Sequence, residues 1–280
     1  HPDTVAVHAH GCCPNLTAEQ ECCALLAATA AHVTTTVSHV LASVASDTTK
    51  SVYEDETAEM AAITVVNLSA QESLVGSLYN AQELNSIIAI GSARASVQTR
   101  EACSTALTNL IVGGLHSNED AAEQPAVYGP LLQLWEQSAH GETQHHATCD
   151  AYCFLFWFLA QRQASLAALL EQGLLHAVQK VVQSLTRRED KTVTDRERLA
   201  LLLECAFIVQ RVSEDEGLRG AIFEGEGQGV AALMKLSTTP HPLIQRSVSQ
   251  SLANMTHSHA LRARVIQHQD IVPYMAGLAN

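Results

Sequence analysis

Aromatic residues are scarce in this chain of 280 residues, at 4% of the sequence. Residues that break helices are also few, with 14 glycines and 7 prolines. Apolar residues still reach 47%, so alanine, leucine and valine must build the core. Because such a composition favours helix over sheet, it predicts an all-α protein.

Basic residues are outnumbered, with 16 lysines and arginines against 29 aspartates and glutamates. The net charge is −13 and the pI is near 5.4. Since phosphate binding requires a basic surface, we expect no nucleic-acid partner. The same charge suits a basic protein partner.

Long hydrophobic runs are also missing. The longest is Cys153–Ala160, with eight residues, whereas a membrane-spanning helix needs about 18 to 20. We therefore expect no membrane span. The chain begins without methionine or a signal-peptide pattern and ends within a helical pattern, which we interpret as a piece of a longer protein.

The cysteine pattern does not resemble a disulfide framework. Three of the last four cysteines fall on apolar faces of predicted helices, where a free cysteine behaves as a small hydrophobic residue. This usage predicts a reducing intracellular compartment. We expect the cytoplasm, with cytoskeletal association as a further option. The eight residues are Cys12, Cys13, Cys22, Cys23, Cys103, Cys149, Cys153 and Cys205.

A short phrase of small and apolar residues at helical spacing recurs along the chain. Clear copies, each with an asparagine followed by a large apolar residue, are Glu59–Leu68, Arg100–Leu110 and Ser247–Met255. Looser copies are Ala151–Leu159 and Glu204–Gln210. Aligning Asn67, Asn109, Trp157, Val209 and Asn254 gives steps of 42, 48, 52 and 45 residues. A period of this length in a helical pattern is typical of a solenoid.

The periodicity also sets the predicted organisation. Residues 1–20 are poorly periodic, and residues 21–280 form the repeat array. The stretch 112–124 is rich in glycine and polar residues and is predicted to be a loop inserted in the array. Asp195 is predicted to cap the long helix that ends near Val212. Near the C-terminus, a short, a medium and a long helix follow one another.

This three-helix rhythm resembles the armadillo (ARM) repeat family. The strongest match is Gly229–Met255, where G-V-A-A-L-M-K-L leads through T-P-H-P-L-I-Q-R to S-L-A-N-M. Glu171–Leu185 matches the same glycine and second helix. The resemblance implies a right-handed superhelical α-solenoid of about five to six three-helix repeats. Its third helices would line a concave groove.

The resemblance also suggests binding residues. In the family, the asparagine of the third helix often hydrogen-bonds the main chain of an extended peptide, which implies this role for Asn67, Asn109 and Asn254. The same face would include Thr105, Arg246 and Gln250. The alternative is that each asparagine caps or bridges adjacent repeats. With the binding role, replacing Asn109 and Asn254 with alanine should weaken a groove-bound partner and leave thermal stability nearly unchanged.

Nuclear-import adaptors of this family place a tryptophan one turn before the asparagine. The corresponding residues here are Ile63, Thr105 and Gln250, none of which is aromatic. Import-adaptor function is therefore the less favoured interpretation, although the acidic charge suits a basic targeting signal.

A zinc site is the alternative role of the N-terminal cluster His8, His10, Cys12 and Cys13, together with Cys22 and Cys23. Zinc ligands usually follow a C-x₂₋₄-C spacing rather than vicinal pairs. The favoured interpretation places these cysteines at an apolar helix junction. His145 and His146 with Cys149 have helical spacing for metal ligation, but a solvent-facing histidine pair beside a buried cysteine is favoured. We assign no metal or cofactor.

No catalytic motif of the G-x-S-x-G, H-E-x-x-H or Walker type is present. The sequence therefore predicts a non-enzymatic scaffold or adaptor that presents a groove to a protein or an extended peptide. The acidic net charge favours a basic partner. The alternatives are a cofactor of chaperone or cytoskeletal motor assembly, and a structural subunit of a large complex.

Overall fold

The structure is a computed structural model that describes residues 30–46, 52–92, 95–117, 123–139, 146–187, 194–225 and 227–278. Within these ranges all regular structure is helical, which confirms the all-α prediction. The N-terminal segment 1–20 and the cluster His8, His10, Cys12, Cys13, Cys22 and Cys23 lie outside the described residues.

The described α-helices follow one another with short connections. They are α1 (Ala30–Ser46), α2 (Val52–Ser69), α3 (Glu72–Leu78), α4 (Ala81–Ile90), α5 (Val97–Ser117), α6 (Tyr128–Ala139), α7 (His146–Ala160), α8 (Gln163–Glu171), α9 (Leu174–Leu185), α10 (Asp195–Glu214), α11 (Gln228–Ser237), α12 (Pro242–His257), α13 (His259–Gln267) and α14 (Ile271–Leu278). Two 3₁₀ helices, Pro125–Val127 and Arg219–Phe223, precede α6 and α11.

The chain divides into two compact units, residues 1–127 and 128–280. In the first unit the two long helices α2 and α5 pack side by side, and α4 packs against α1. The short helix α3 packs against α5. Leu74, Ile87, Leu107 and Leu110 are fully buried between these helices.

In the second unit the helices form two rows. The long helices α7, α10 and α12 pack in that order, and the shorter helices α6, α9 and α11 form the other row. Each short helix also contacts the long helix that follows it. Because each row buries one face against the other, the core lies between them. Trp135 of α6 stacks there on Phe156 of α7, with ring centroids 4.8 Å apart.

The long helices α7 and α10 run parallel. Near the starts of these helices, His146 of α7 lies within electrostatic range of Glu197 of α10, and in their middles Cys153 contacts Cys205. Hydrogen bonds between residues 40 to 45 positions apart recur in both units. They are Ser38 to Glu83, Asn109 to Ser69, Ser184 to the Ala139 carbonyl, Asn254 to Ser213, and Arg264 to the Phe223 carbonyl.

Two helix boundaries differ from the predictions. Helix α5 continues through residues 112–117, which corrects the N-terminal part of the predicted loop. Thr194, rather than Asp195, is the N-cap of α10. The Thr194 hydroxyl accepts from the backbone N–H of Glu197 at 3.3 Å, and the Glu197 carboxylate accepts from the backbone N–H of Thr194 at 2.9 Å. This reciprocal pair is a capping box.

Two glycines with the same backbone geometry immediately precede α9 and α11, the second and third helices of the short row. Gly173 precedes α9 with φ of 97°, and Gly227 precedes α11 with φ of 73°. Residues with a Cβ atom rarely adopt this left-handed conformation. The shared glycine therefore gives α9 and α11 the same entry from the preceding chain.

Among the described helices, none is by itself long and apolar enough to cross a bilayer. Helices α7 and α8 reach that apolar length only together, and they are bent by 118° relative to each other.

Candidate functional site

The outward face of the long-helix row in the second unit exposes unusually large apolar side chains. Phe154, Trp157 and Phe158 of α7 are half-buried, and their i, i+3, i+4 spacing places them on one side of the helix. The rings of Phe154 and Trp157 lie 5.8 Å apart at an interplanar angle of 36°. The opposite side of α7 buries Tyr152 and Phe156 completely in the core.

Helix α10 continues this outward face. Leu199, Leu203 and Phe207 are half-buried, and Ala200 is exposed. Beside them a pocket of about 410 Å³ is lined by Arg196, Leu199, Ala200, Leu203 and His241. We call it the α10–α12 pocket, since His241 immediately precedes α12. It is an open depression with an aliphatic wall.

Two of the predicted binding asparagines bridge neighbouring long helices. The Nδ2 atom of Asn109 donates to the Ser69 hydroxyl at 3.2 Å, from α5 to α2. In the second unit, Asn254 Nδ2 donates in the same way to Ser213 at 3.1 Å, from α12 to α10. Each serine hydroxyl in turn donates to a carbonyl of its own helix. An amide nitrogen has two hydrogens, so this bridge leaves one for another acceptor.

The other predicted binding residues differ in their surroundings. Gln250 donates to the side-chain oxygen of Asn254 at 3.0 Å, and Thr105 donates to the Glu101 carbonyl of its own helix at 2.9 Å. Arg246 is exposed on α12, and Asn67 is half-buried on α2. Binding of a partner by these six residues stays a prediction.

The asparagine bridges change the expected result of alanine substitution. A neutral hydrogen bond contributes about 0.5–1.5 kcal/mol to stability, so Asn109→Ala and Ser69→Ala should each destabilise the protein by about 1 kcal/mol. The double variant should lose less than the sum of both. Chemical unfolding of the four proteins measures this coupling, and Asn85→Ala, at an exposed asparagine of α4, is the matched control. Strict additivity would show that the bridge contributes nothing.

Helices α7 and α10 contain three buried thiols. Cys149, Cys153 and Cys205 are free and buried, and the indole Nε1 of Trp135 donates to Cys153 Sγ at 3.3 Å. The pKa of Cys149 is raised mainly by its hydrogen bond with Cys153 and, to a smaller extent, by burial. Burial is the main cause that raises the pKa of Cys153. Burial also raises the pKa of Cys103 to about 12. Cys103, Cys149 and Cys153 are therefore neutral thiols and pack as apolar side chains.

Beside the thiols, a carboxyl group of α10 faces a carboxyl group of α7. Burial raises the pKa of Glu204 to about 8, and the charge of Asp150 adds to this effect. The Oε2 atom of Glu204 is enclosed and has no hydrogen-bond partner among the described residues. Glu204 is therefore mainly protonated at neutral pH.

No protein-family model, curated protein or solved structure matches this chain. In the part of the chain that the structure describes, no group of three or more His, Cys, Asp or Glu side chains is arranged to hold a metal ion.

Sequence reasoning aligned Trp157 with the groove asparagines, but it did not predict the outward positions of Phe154, Phe158 and Phe207 or the α10–α12 pocket. The run Cys153–Ala160 is apolar on every side, so its pattern does not distinguish the buried face from the outward face. A signal was present for α10, because Leu199, Leu203 and Phe207 recur every four residues outside the buried set Leu201, Leu202, Cys205 and Ala206.

Proposed function

We propose that this chain is a non-enzymatic α-solenoid of armadillo-type three-helix repeats that binds another protein on its long-helix row. Two observations support the repeat. Hydrogen bonds recur between residues 40 to 45 positions apart, and Gly173 and Gly227 share one backbone geometry at the start of successive short-row helices. In such an array the long helices would form the concave surface.

The half-exposed aromatic and aliphatic side chains of α7 and α10 are the observation on which the binding role depends. Aromatic residues are only 4% of the sequence, yet Phe154, Trp157, Phe158 and Phe207 all lie on the outward side of these two helices. Partly exposed aromatic side chains grouped on one side of a helix are typical of protein interfaces, where aromatic residues provide much of the binding energy.

The first unit presents a related surface on α2. Met60 is 62% exposed and Ile63 is 38% exposed, and Asn67 follows on the same side of the helix. Ile63 stands where import adaptors have tryptophan, so the aromatic slot for a lysine stem is replaced here by an aliphatic side chain. This difference favours a general scaffold over an import adaptor.

Site-specific photo-crosslinking tests the binding role. A photoreactive residue is placed at Gln250, exposed on α12 of the long row, or at Gln133, exposed on α6 of the short row. Both proteins are irradiated in a lysate of the source cells. We expect discrete crosslinked products from position 250 and none from position 133.

A second variant separates specific binding from random capture. Phe207→Ser should reduce the crosslinks from position 250 while circular dichroism shows unchanged helix content. Equal crosslinking from both positions, or products that Phe207→Ser does not affect, would exclude the long-helix row as the binding surface.

A further inference from the structure

The α10–α12 pocket combines an aliphatic wall with the guanidinium group of Arg196 and the imidazole of His241. Leu199, Ala200 and Leu203 form the wall, and Arg196 and His241 complete the lining. Leu243, 47% exposed, follows His241 on α12. An apolar side chain that enters this depression removes apolar surface from water on both partners, which favours binding.

The acidic residues nearest to the pocket along α10 are engaged elsewhere. Asp195 lies 3.8 Å from Arg198, and the Glu197 carboxylate accepts from Thr194 at 2.7 Å. Glu204 faces α7, where Asp150 raises its pKa further. None of these three carboxyl groups lines the pocket.

The polar groups of the pocket have no acidic partners among the described residues. Within the described residues Arg196 forms no ion pair, and the enclosed Nδ1 atom of His241 has no hydrogen-bond partner. Helix α12, on the other side of the pocket, contains Arg246 and His257 but no aspartate or glutamate. The lining of the pocket therefore contains the guanidinium group of Arg196 and no carboxylate, in a chain of net charge −13.

We propose that the α10–α12 pocket binds an acidic, apolar segment of a protein partner. A leucine-like side chain of this segment packs against the aliphatic wall of the pocket, and a neighbouring carboxylate of the same segment lies beside Arg196. This inference rests on the proposed binding role of the long-helix row and specifies the partner's chemistry at one site. The net charge of the whole chain suggests a basic partner, whereas the partner proposed for this site is acidic.

Two blocked peptides of equal length test this proposal with the full chain. In one, pairs of leucines are flanked by glutamates, and in the other the glutamates are replaced by lysines. Methyl NMR signals of Leu199, Ala200 and Leu203 report on the pocket alone, so attraction of the lysine peptide to other acidic surfaces does not interfere. We expect the glutamate peptide to shift these signals at a concentration at least about tenfold lower than the lysine peptide.

Variants identify the source of the binding. Ala200→Trp should fill the depression and abolish the shifts of the remaining leucine methyls. Ala231→Trp, at an exposed alanine of α11, should leave them unchanged. Arg196→Gln should weaken binding of the glutamate peptide about two- to fivefold, as expected for an exposed ion pair.

Equal or stronger binding of the lysine peptide at these methyl groups would overturn the proposal. So would glutamate-peptide shifts that persist in Ala200→Trp, or an absence of shifts with either peptide. If the glutamate peptide fails while position 250 still crosslinks to discrete products, the partner's chemistry is wrong and the binding role of the row stands. If the crosslinks are also absent, the binding role itself fails.

Discussion

Replacing Glu204 with glutamine is expected to stabilise the protein by roughly 2–4 kcal/mol above pH 8 and by very little near pH 4. The carboxyl group lies between α7 and α10 beside Asp150, and its Oε2 atom has no hydrogen-bond partner among the described residues. Ionisation of this group in the folded protein is therefore unfavourable. Glutamine keeps the shape of the side chain without the charge.

The direction of the pH dependence follows from the two pKa values. The ordinary pKa of the carboxyl group is 4.5, and burial raises it to about 8 in the folded protein. Between these values the unfolded chain has released the proton while the folded chain retains it. Stability consequently falls as pH rises through this window, and the loss is complete above the folded pKa. The glutamine variant cannot ionise at this position, so it does not show this loss of stability at any pH.

Urea unfolding of both proteins at a series of pH values between 4 and 9 measures the difference. Glu171→Gln, at an exposed glutamate of α8, is the control and should follow the wild-type curve. Asp150→Asn should reduce the gain from Glu204→Gln, because Asp150 provides part of the unfavourable charge. A constant difference between wild type and Glu204→Gln across the whole range would show that Glu204 is ionised in the folded protein without penalty.

The sequence predicts helix boundaries well where local chemistry determines them. The apolar spacing of the sequence predicts helices over Leu174–Leu185, His259–Gln267 and Ile271–Leu278, and α9, α13 and α14 have these bounds. Gly173 and the turn before Pro242 mark helix starts by their backbone restrictions. At α10 the signal was present but misread, because the T-D-R-E sequence satisfies the capping-box pattern from Thr194 rather than from Asp195.

Features that depend on contacts between distant segments could not be predicted. The proximity of Asp150 and Glu204 depends on the register between α7 and α10, which no local pattern contains. The bridge from Asn109 to Ser69 depends in the same way on how α5 packs against α2. The sequence left bridging and peptide binding as open alternatives, since an asparagine side chain is suited to both.

Gly114→Ala is expected to destabilise the first unit by about 1–3 kcal/mol, although alanine is the better helix former. Gly114 lies in α5 where this helix packs against α3, and a Cβ atom there would lie 2.7 Å from Tyr79 Cδ1 and 2.8 Å from Tyr79 Cβ. Tyr79 is only 8% exposed, so its ring has little space to move. The same close packing explains why α5 continues through two glycines where the sequence predicts a loop.

Gly76→Ala in α3 is the matched control, because a Cβ atom there meets nothing within 4 Å. It should stabilise the protein by about 0.5–1 kcal/mol through helix propensity and the lower entropy of the unfolded chain. The midpoints of both thermal and urea unfolding should therefore fall for Gly114→Ala and rise for Gly76→Ala. In a Tyr79→Ala background the contacts with the ring are absent and only the contact with the Cβ atom of residue 79 remains, so Gly114→Ala should destabilise the protein less than in the wild-type background. A stabilising Gly114→Ala in the wild-type background would mean that α3 and α5 do not approach each other this closely.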